Sequence, residues 1–358
     1  MHYLRLLLLP FSVIYSLIIW ARNLLFDVGF FSSKKFSIPV ISIGNLAVGG
    51  SGKSPMAEYL IRLLKENYKI AVLSRGYGRK TTGFRLVKPE STSEECGDEP
   101  LQFRKKFHDI TVAVSEKRVT GIEALLPDHD LVILDDAFQH RAVKPGLSIL
   151  LFDYTQLGQF FLVLPAGNLR EPFRNRKRAD IIMVSKCPEN LSAEEIERVR
   201  NRLKPVEGQQ LFFSYLSYGD LISIGDGNKL SLTDIKPQTA VFLLTGIANP
   251  LPLLKKVKSL SASVLHHDYP DHHPFSSKNI TKLAQEFKEC RSPEKIIITT
   301  EKDAQRLQAP VLLELLKGLP VYYLPVTAKI QQPDIERFNK LIESYVKRNI
   351  QHNSLHQE

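Results

Sequence analysis

Three features predict an α/β protein built as two α/β/α domains behind an amino-terminal membrane-associated helix. Short apolar runs alternate with helical stretches along most of the chain, a glycine-rich turn near residue 50 joins a strand to a helix, and residues 6–20 are almost wholly apolar. Strands that alternate with helices form parallel sheets, and ligands of such sheets sit beyond the carboxyl ends of the strands.

The apolar stretch 6–20 is interrupted by Pro10, Ser12 and Ser16 and bracketed by Arg5 and Arg22. It falls short of the about 20 apolar residues that span a bilayer. No small-x-small cleavage site follows it, and 23–31 continues apolar, which argues against a removed leader. Residues 1–31 are therefore read as an interfacial helix, with Tyr15 and Trp20 near headgroups and Arg5, Arg22, Lys34 and Lys35 toward anionic lipid. A buried core helix has the same periodicity and is the competing reading.

With 358 residues, 43% hydrophobic and 24% charged, the chain has room for about two domains, each with its own core. Cys96, Cys187 and Cys290 lie too far apart for a zinc ribbon or a disulfide framework, so a reducing compartment fits. The net charge of +10 suits nucleic acid, anionic lipid or phosphorylated substrates. Zinc-finger spacing, an RNA-binding aromatic signature and a long basic helix are all missing from the sequence, so no nucleic-acid partner is expected, and no obligate protein partner is evident.

Strand-like runs at 69–74, 110–114, 130–134, 147–152 and 180–184 build a first domain over 32–210. An irregular stretch at 211–235 reads as a linker. Strands at 241–244, 263–266, 295–300 and 321–324, with helices at 251–258, 276–290 and 311–317, build a second domain over 236–325. A terminal helix and tail occupy 326–358.

The glycine-rich turn carries the chemistry. Residues 39–43 supply a β-branched strand, Gly49-Gly50-Ser51-Gly52-Lys53-Ser54 the turn, and 56–65 an amphipathic helix. The usual phosphate-loop pattern has glycine where Ala47 stands, but the strand and helix around it identify the fold as P-loop NTPase-type. Backbone amides from Ala47 and Val48 through Ser54 would face phosphate oxygens, Lys53 the β- and γ-phosphates, and the Ser54 hydroxyl a magnesium ion. A nucleoside triphosphate is the expected ligand.

A second apolar strand ends in Asp135-Asp136, the arrangement with which P-loop enzymes hold magnesium and its water shell, and Gln139 and His140 continue the same strand end. Asp98-Glu99-Pro100 opens an amphipathic helix. Its acids either cap that helix or act on a reacting hydroxyl and the metal. Four of the ten histidines fall within 266–273. They match no zinc spacing, so an orienting partner for a catalytic carboxylate is preferred to a metal-dependent hydrolase centred on Asp271, His272 and His273. Arg75, Arg79, Arg118 and Arg170 sit at strand ends where guanidinium groups clamp phosphates, or are surface charges. Val184-Ser185-Lys186-Cys187-Pro188 shares a lysine with the Asn-Lys-x-Asp guanine motif but not its spacing, which disfavours a GTP switch.

Taken in order, Gly44-Asn45-Leu46 with Gly49 to Pro55, Ser74-Arg-Gly-Tyr-Gly-Arg79, Gly97-Asp-Glu-Pro100 and Asp135-Asp-Ala-Phe-Gln-His140 resemble one family, the tetraacyldisaccharide 4'-kinases, or lipid A 4'-kinases. Leu164 to Pro172, Thr245 to Pro250, Tyr269-Pro-Asp-His272 and Thr300-Glu-Lys-Asp-Ala304 extend the resemblance to about Arg306. It implies a kinase that uses ATP and magnesium to phosphorylate the 4'-hydroxyl of a lipid A disaccharide precursor at the cytoplasmic face of the bacterial inner membrane. By motif, Asp98 would be the general base paired with His272, with His273 the alternative partner. Ser54, Glu99, Asp135 and Asp136 would support the metal, Asp135 also ordering the loop. Lys53 and Arg118 would stabilise the transferring phosphoryl group, and Arg75, Gln139, His140, Asn168, Arg170 and Glu171 would line the site. The alternatives are a membrane-associated nucleotide switch and a kinase for another lipid-linked hydroxyl.

Overall fold

The computed structural model describes residues 5–354. The chain first forms β1 (Val40–Asn45), β2 (Ile70–Ser74), β3 (Arg85–Leu86), β4 (Thr111–Val114), β5 (Leu131–Leu134), β6 (Leu147–Asp153), β7 (Ile181–Ser185) and β8 (Gln210–Tyr218). It continues through β9 (Leu221–Ser223), β10 (Lys229–Leu230), β11 (Ala240–Thr245), β12 (Ser263–Asp268), β13 (Lys295–Thr300) and β14 (Val321–Leu324), and then β15 (Val326–Ile330). One sheet has the order β15-β8-β7-β6-β1-β5-β2-β4-β3, the other β10-β9-β14-β13-β11-β12. The long strands expected from the sequence all form, within one or two residues of their expected ends.

In the first sheet β1 pairs in parallel with both β5 and β6, and all six of its residues are buried. Strands covered on both faces read as continuous apolar runs, and the central strands β2, β5, β6 and β7 do, whereas the edge strands β3 and β15 do not. The helix Lys53–Leu64 buries Met56, Ala57, Leu60, Ile61 and Leu64 against one face. Phe338, Ile342, Tyr345 and Val346 of the terminal helix Ile335–Ser354 join the same core. The Tyr345 hydroxyl accepts from the Val40 amide at 3.1 Å and donates to the Val40 carbonyl at 3.2 Å, fixing that helix to β1.

The stretch read as a linker is sheeted. Its first residues extend β8, parallel to β7, and its later ones form β9 and β10 on the second sheet. β15 then returns antiparallel to β8, so two adjacent strands join the domains and the terminal helix belongs to the first of them.

The helix Leu9–Asp27 reverses the usual burial. Its buried residues are Ser12 and Asn23, while Phe11, Ile14, Leu17 and Ile18 are more than half exposed. Ser12 Oγ donates to the Val163 carbonyl and accepts from the Ala166 amide, both at 2.9 Å. Tyr15 reaches the Arg170 carbonyl, Arg22 the Gln139 carbonyl, and Arg141 the Asn23 carbonyl. A polar stripe thus docks the helix on loops at the carboxyl end of the first sheet, leaving its apolar face outward.

Candidate active site

β1 delivers the chain into the glycine turn, where Gly49 and Gly52 take φ of +98° and +81°, left-handed conformations that a side chain disfavours. The helix starts at Lys53. Among the described residues, the amides of Gly49, Gly50, Ser51 and Gly52 donate to no protein acceptor. Consecutive free amides at a helix start form an anion-binding concavity. Lys53 Nζ lies 3.3 Å from Asn45 Oδ1 and 3.7 Å from Asp136 Oδ1.

The two carboxylates after β5 have different surroundings. Asp135 is buried and accepts the Ser74 hydroxyl at 3.1 Å; burial, with Asp136 and Glu99 nearby, pushes its pKa up to about 6. For Asp136 burial works against ionisation, but Lys53, Arg170 and Arg118 prevail and hold it at about 2. Arg170 donates to both Asp136 oxygens, at 2.8 and 3.1 Å. Arg118 is buried and donates to the Ser115 carbonyl at 2.9 Å. Burial lowers its pKa to about 10, opposed by Asp135 and Asp136.

Gln139 Nε2 donates to the Asn45 carbonyl at 2.9 Å. His140 is held down at about 4 by burial and by Arg118, Arg22 and Arg75. Arg75 is itself exposed at the end of β2. Two expected lining residues are tied to protein partners, although Asn168 also lines the cavity beside the phosphate loop with Asn45, Val48 and Gly49, and its carbonyl accepts from the Val48 amide at 2.8 Å. Glu171 is fully buried and accepts from Arg178 at 2.6 Å and Asn175 at 2.8 Å, and Asn168 Oδ1 accepts from Arg5 at 3.0 Å. Their visible work is to brace the loop and the amino-terminal segment.

Gly97, at φ +89°, turns the chain into the helix Asp98–Lys106; a Cβ there would meet the Tyr77 carbonyl at 2.9 Å. Asp98 is 6% exposed, and its Oδ2 lies 3.1 Å from His272 Nδ1 and 3.1 Å from Arg306 Nε, both on the second domain. Lys302 Nζ lies 2.7 Å from Glu99 and 3.0 Å from His272 Nε2. Burial opposes the Lys302 charge, but Glu99 and Asp271 raise its pKa above the ordinary lysine value. A charged ammonium only donates, so His272 Nε2 accepts, and Nδ1 carries the proton given to Asp98.

The histidine cluster disperses: His273 faces Asn279 at 3.1 Å, His266 faces Thr245 at 2.8 Å, and His267 lies 3.2 Å from Glu286. Of the two candidate partners, His272 is therefore the one that meets Asp98. Sequence reading gave no role to Asn45, Lys302 or Arg306. Lys302 sat in the quoted Thr300-Glu-Lys-Asp motif, but nothing local says that its partners lie 30 and 203 residues away.

Free loop amides, a lysine, a carboxylate pair at the neighbouring strand end and a buried carboxylate-histidine pair are the parts that phosphoryl transfer requires. A family model described as Tetraacyldisaccharide-1-P 4'-kinase matches residues 4–346. The chain is 44% identical to a tetraacyldisaccharide 4'-kinase of Bacteroides thetaiotaomicron, over 97% of this chain and 94% of that one. Its identity to the Flavobacterium johnsoniae protein of the same name is 42%, over 98% and 100%. The crystal structure of LpxK from Aquifex aeolicus, solved with ATP, superposes with a TM-score of 0.72 at 33% identity, covering 96% of this chain and 99% of that one. The chain belongs to the tetraacyldisaccharide-1-P 4'-kinase family.

Proposed function

We propose that this chain transfers the γ-phosphoryl group of ATP to the 4'-hydroxyl of a tetraacyldisaccharide 1-phosphate, a lipid A precursor, while lying on the cytoplasmic face of a bacterial inner membrane. One observation supports this above the others. A buried carboxylate of the P-loop domain, Asp98, is met at 3.1 Å by His272 of the second domain, close enough to the β5 carboxylates for Glu99 to act on Asp135.

Asp98 takes the proton of the attacking hydroxyl, whose oxygen then displaces ADP from the γ-phosphorus. His272, donating from Nδ1, keeps the accepting carboxylate aimed. Lys53, Arg118 and Arg75 offset charge on the transferring group, and Arg170 holds Asp136 in place. Little covalent work falls to the protein, so positioning and electrostatics carry the rate. Magnesium takes oxygen ligands and is commonly held by one or two carboxylates besides phosphates. Ser54 and Asp136 fit that habit, with Glu99 as a further carboxylate and Asp135 behind. Bound there, the ion would neutralise charge on the β- and γ-phosphates.

An acylated acceptor stays in the bilayer, which agrees with a helix whose apolar face points outward and with a net charge of +10. Given γ-labelled ATP in detergent micelles, the purified protein is expected to label the tetraacyldisaccharide 1-phosphate and to leave a 4'-deoxy analogue unlabelled, with transfer lost when magnesium is chelated. Label on the deoxy analogue would contradict the acceptor site. Tight GTP binding with weak ATP binding would favour a nucleotide switch instead.

A further inference from the structure

The Ser185-Lys186 pair resembles part of a guanine motif yet has no place in the transfer chemistry. Both residues stand at the end of β7, where Ser185 registers beside Asp153 of β6. Ser185 Oγ donates to the Ser51 carbonyl at 2.7 Å. Lys186 Nζ donates to the Gly50 carbonyl and, at 2.8 Å, to Asp153 Oδ2. The ammonium and its carboxylate are 10% and 3% exposed. The other Asp153 oxygen is taken by Thr155, from its amide at 2.9 Å and its hydroxyl at 2.6 Å, so Asp153 is fixed on both sides. Lys186 also adopts φ +57°, which a residue with a Cβ takes rarely and keeps only where its surroundings demand it.

A trans peptide is planar, with its C=O and N–H on opposite sides. Holding the Gly50 and Ser51 carbonyls toward β7 therefore turns the amides of Ser51 and Gly52 the other way, into the concavity where they meet no protein acceptor. Gly49, Gly50 and Gly52 would otherwise leave this loop free to rotate, and ordering it would cost affinity at each binding event. Breaking a buried ion pair by removing one partner leaves an uncompensated charge, so the Lys186–Asp153 pair holds the ammonium in one place against the loop.

We propose that Lys186 and Ser185 are positioning residues that pre-set the phosphate loop by gripping the carbonyls of Gly50 and Ser51, so that the amides of Ser51 and Gly52 face the triphosphate. The inference rests on the phosphate-loop reading above. It predicts an effect on phosphates that is indifferent to the base and to the lipid acceptor.

The test uses the full-length protein in detergent, with Lys186→Met, Lys186→Arg and Ser185→Ala. Binding of ATP and of inorganic tripolyphosphate is measured by calorimetry, and KM for the acceptor by transfer. Lys186→Met is expected to weaken both ligands by the same factor, about ten- to a hundredfold as for a lost hydrogen bond from a charged donor. KM for the acceptor stays unchanged and Lys186→Arg restores part of the loss. Ser185→Ala removes only one hydroxyl and carries the same test should Lys186→Met fail to fold, with a smaller equal loss for both ligands. ATP weakened while tripolyphosphate is unaffected would overturn the proposal, as a contact to the base would do that, and so would unchanged binding of both. Wild-type protein that binds neither ligand would remove the phosphate-loop reading and this inference with it.

Discussion

His140 sits half-buried among Arg118, Arg22 and Arg75, and that company, after burial, sets its pKa near 4. An unfolded histidine titrates near about 6.5. The neutral ring therefore contributes stability that is complete above pH about 6.5 and is lost as pH falls through about 4, because the unfolded chain takes up the proton first. His140→Asn is expected to flatten the fall in Tm between those pH values, measured by thermal unfolding across the range; a variant with the wild-type slope would contradict this placement. At this scale much of the candidate site is legible in the sequence. Lys53, Ser54, Asp98, Asp135 and Asp136 stand at strand and helix ends, where turn chemistry marks them. Lys302 and Arg306 were not marked, because a cation on a short helix acquires meaning only through the Asp98 and Glu99 carboxylates it meets from another domain. The partners of Glu171 were equally hidden: its buried carboxylate accepts from Arg178 and Asn175, contacts that its motif does not announce.

The helix Leu9–Asp27 gives up the ordinary logic of burial: it packs through Ser12 and Asn23 and exposes Ile14, Leu17 and Ile18 at 56%, 57% and 61%. Burying one such side chain in an apolar medium is worth about 1.5–3 kcal/mol. Replacing all three with serine is expected to lower recovery in the membrane fraction by more than about tenfold, with ATP binding retained. An unchanged distribution would contradict an interfacial role for this helix. The sequence showed an apolar segment here but not which of its faces packs on the protein, since that is set by polar contacts more than 100 residues away. The same distance hid β15. Its five residues become a strand only by pairing with β8, Val326 with Tyr218 and Ile330 with Ser214. The parallel strands were easier to find, because burial on both faces writes an apolar run into the local sequence.

For the molecule as a whole, the two domains bring different halves of one constellation. The first carries the phosphate loop, the β5 carboxylates and Asp98. The second, joined through β8 and β15, carries His272, Lys302 and Arg306. The helix Glu301–Arg306 meets the helix Asp98–Lys106 along its length: Lys106 lies 2.7 Å from Glu301, Glu99 2.7 Å from Lys302, and Asp98 3.1 Å from Arg306. Three ion pairs between two short helices set the angle at which Asp98 meets His272, so the constellation is complete only where the two domains are in contact. The amino-terminal helix holds loops at the same strand ends through Tyr15 and Arg22, with Arg5 just before it on Asn168, which places an outward apolar face beside those loops.

The most direct test of this account is the rate at which Asp98→Ala transfers γ-labelled phosphate from ATP to the tetraacyldisaccharide 1-phosphate, measured alongside its ATP affinity. Loss of a general base predicts a rate lower by about 10²–10⁴-fold with ATP binding intact. Near-normal transfer would show that Asp98 does not take the proton, and the pairing across the domains would then be no more than a hinge contact.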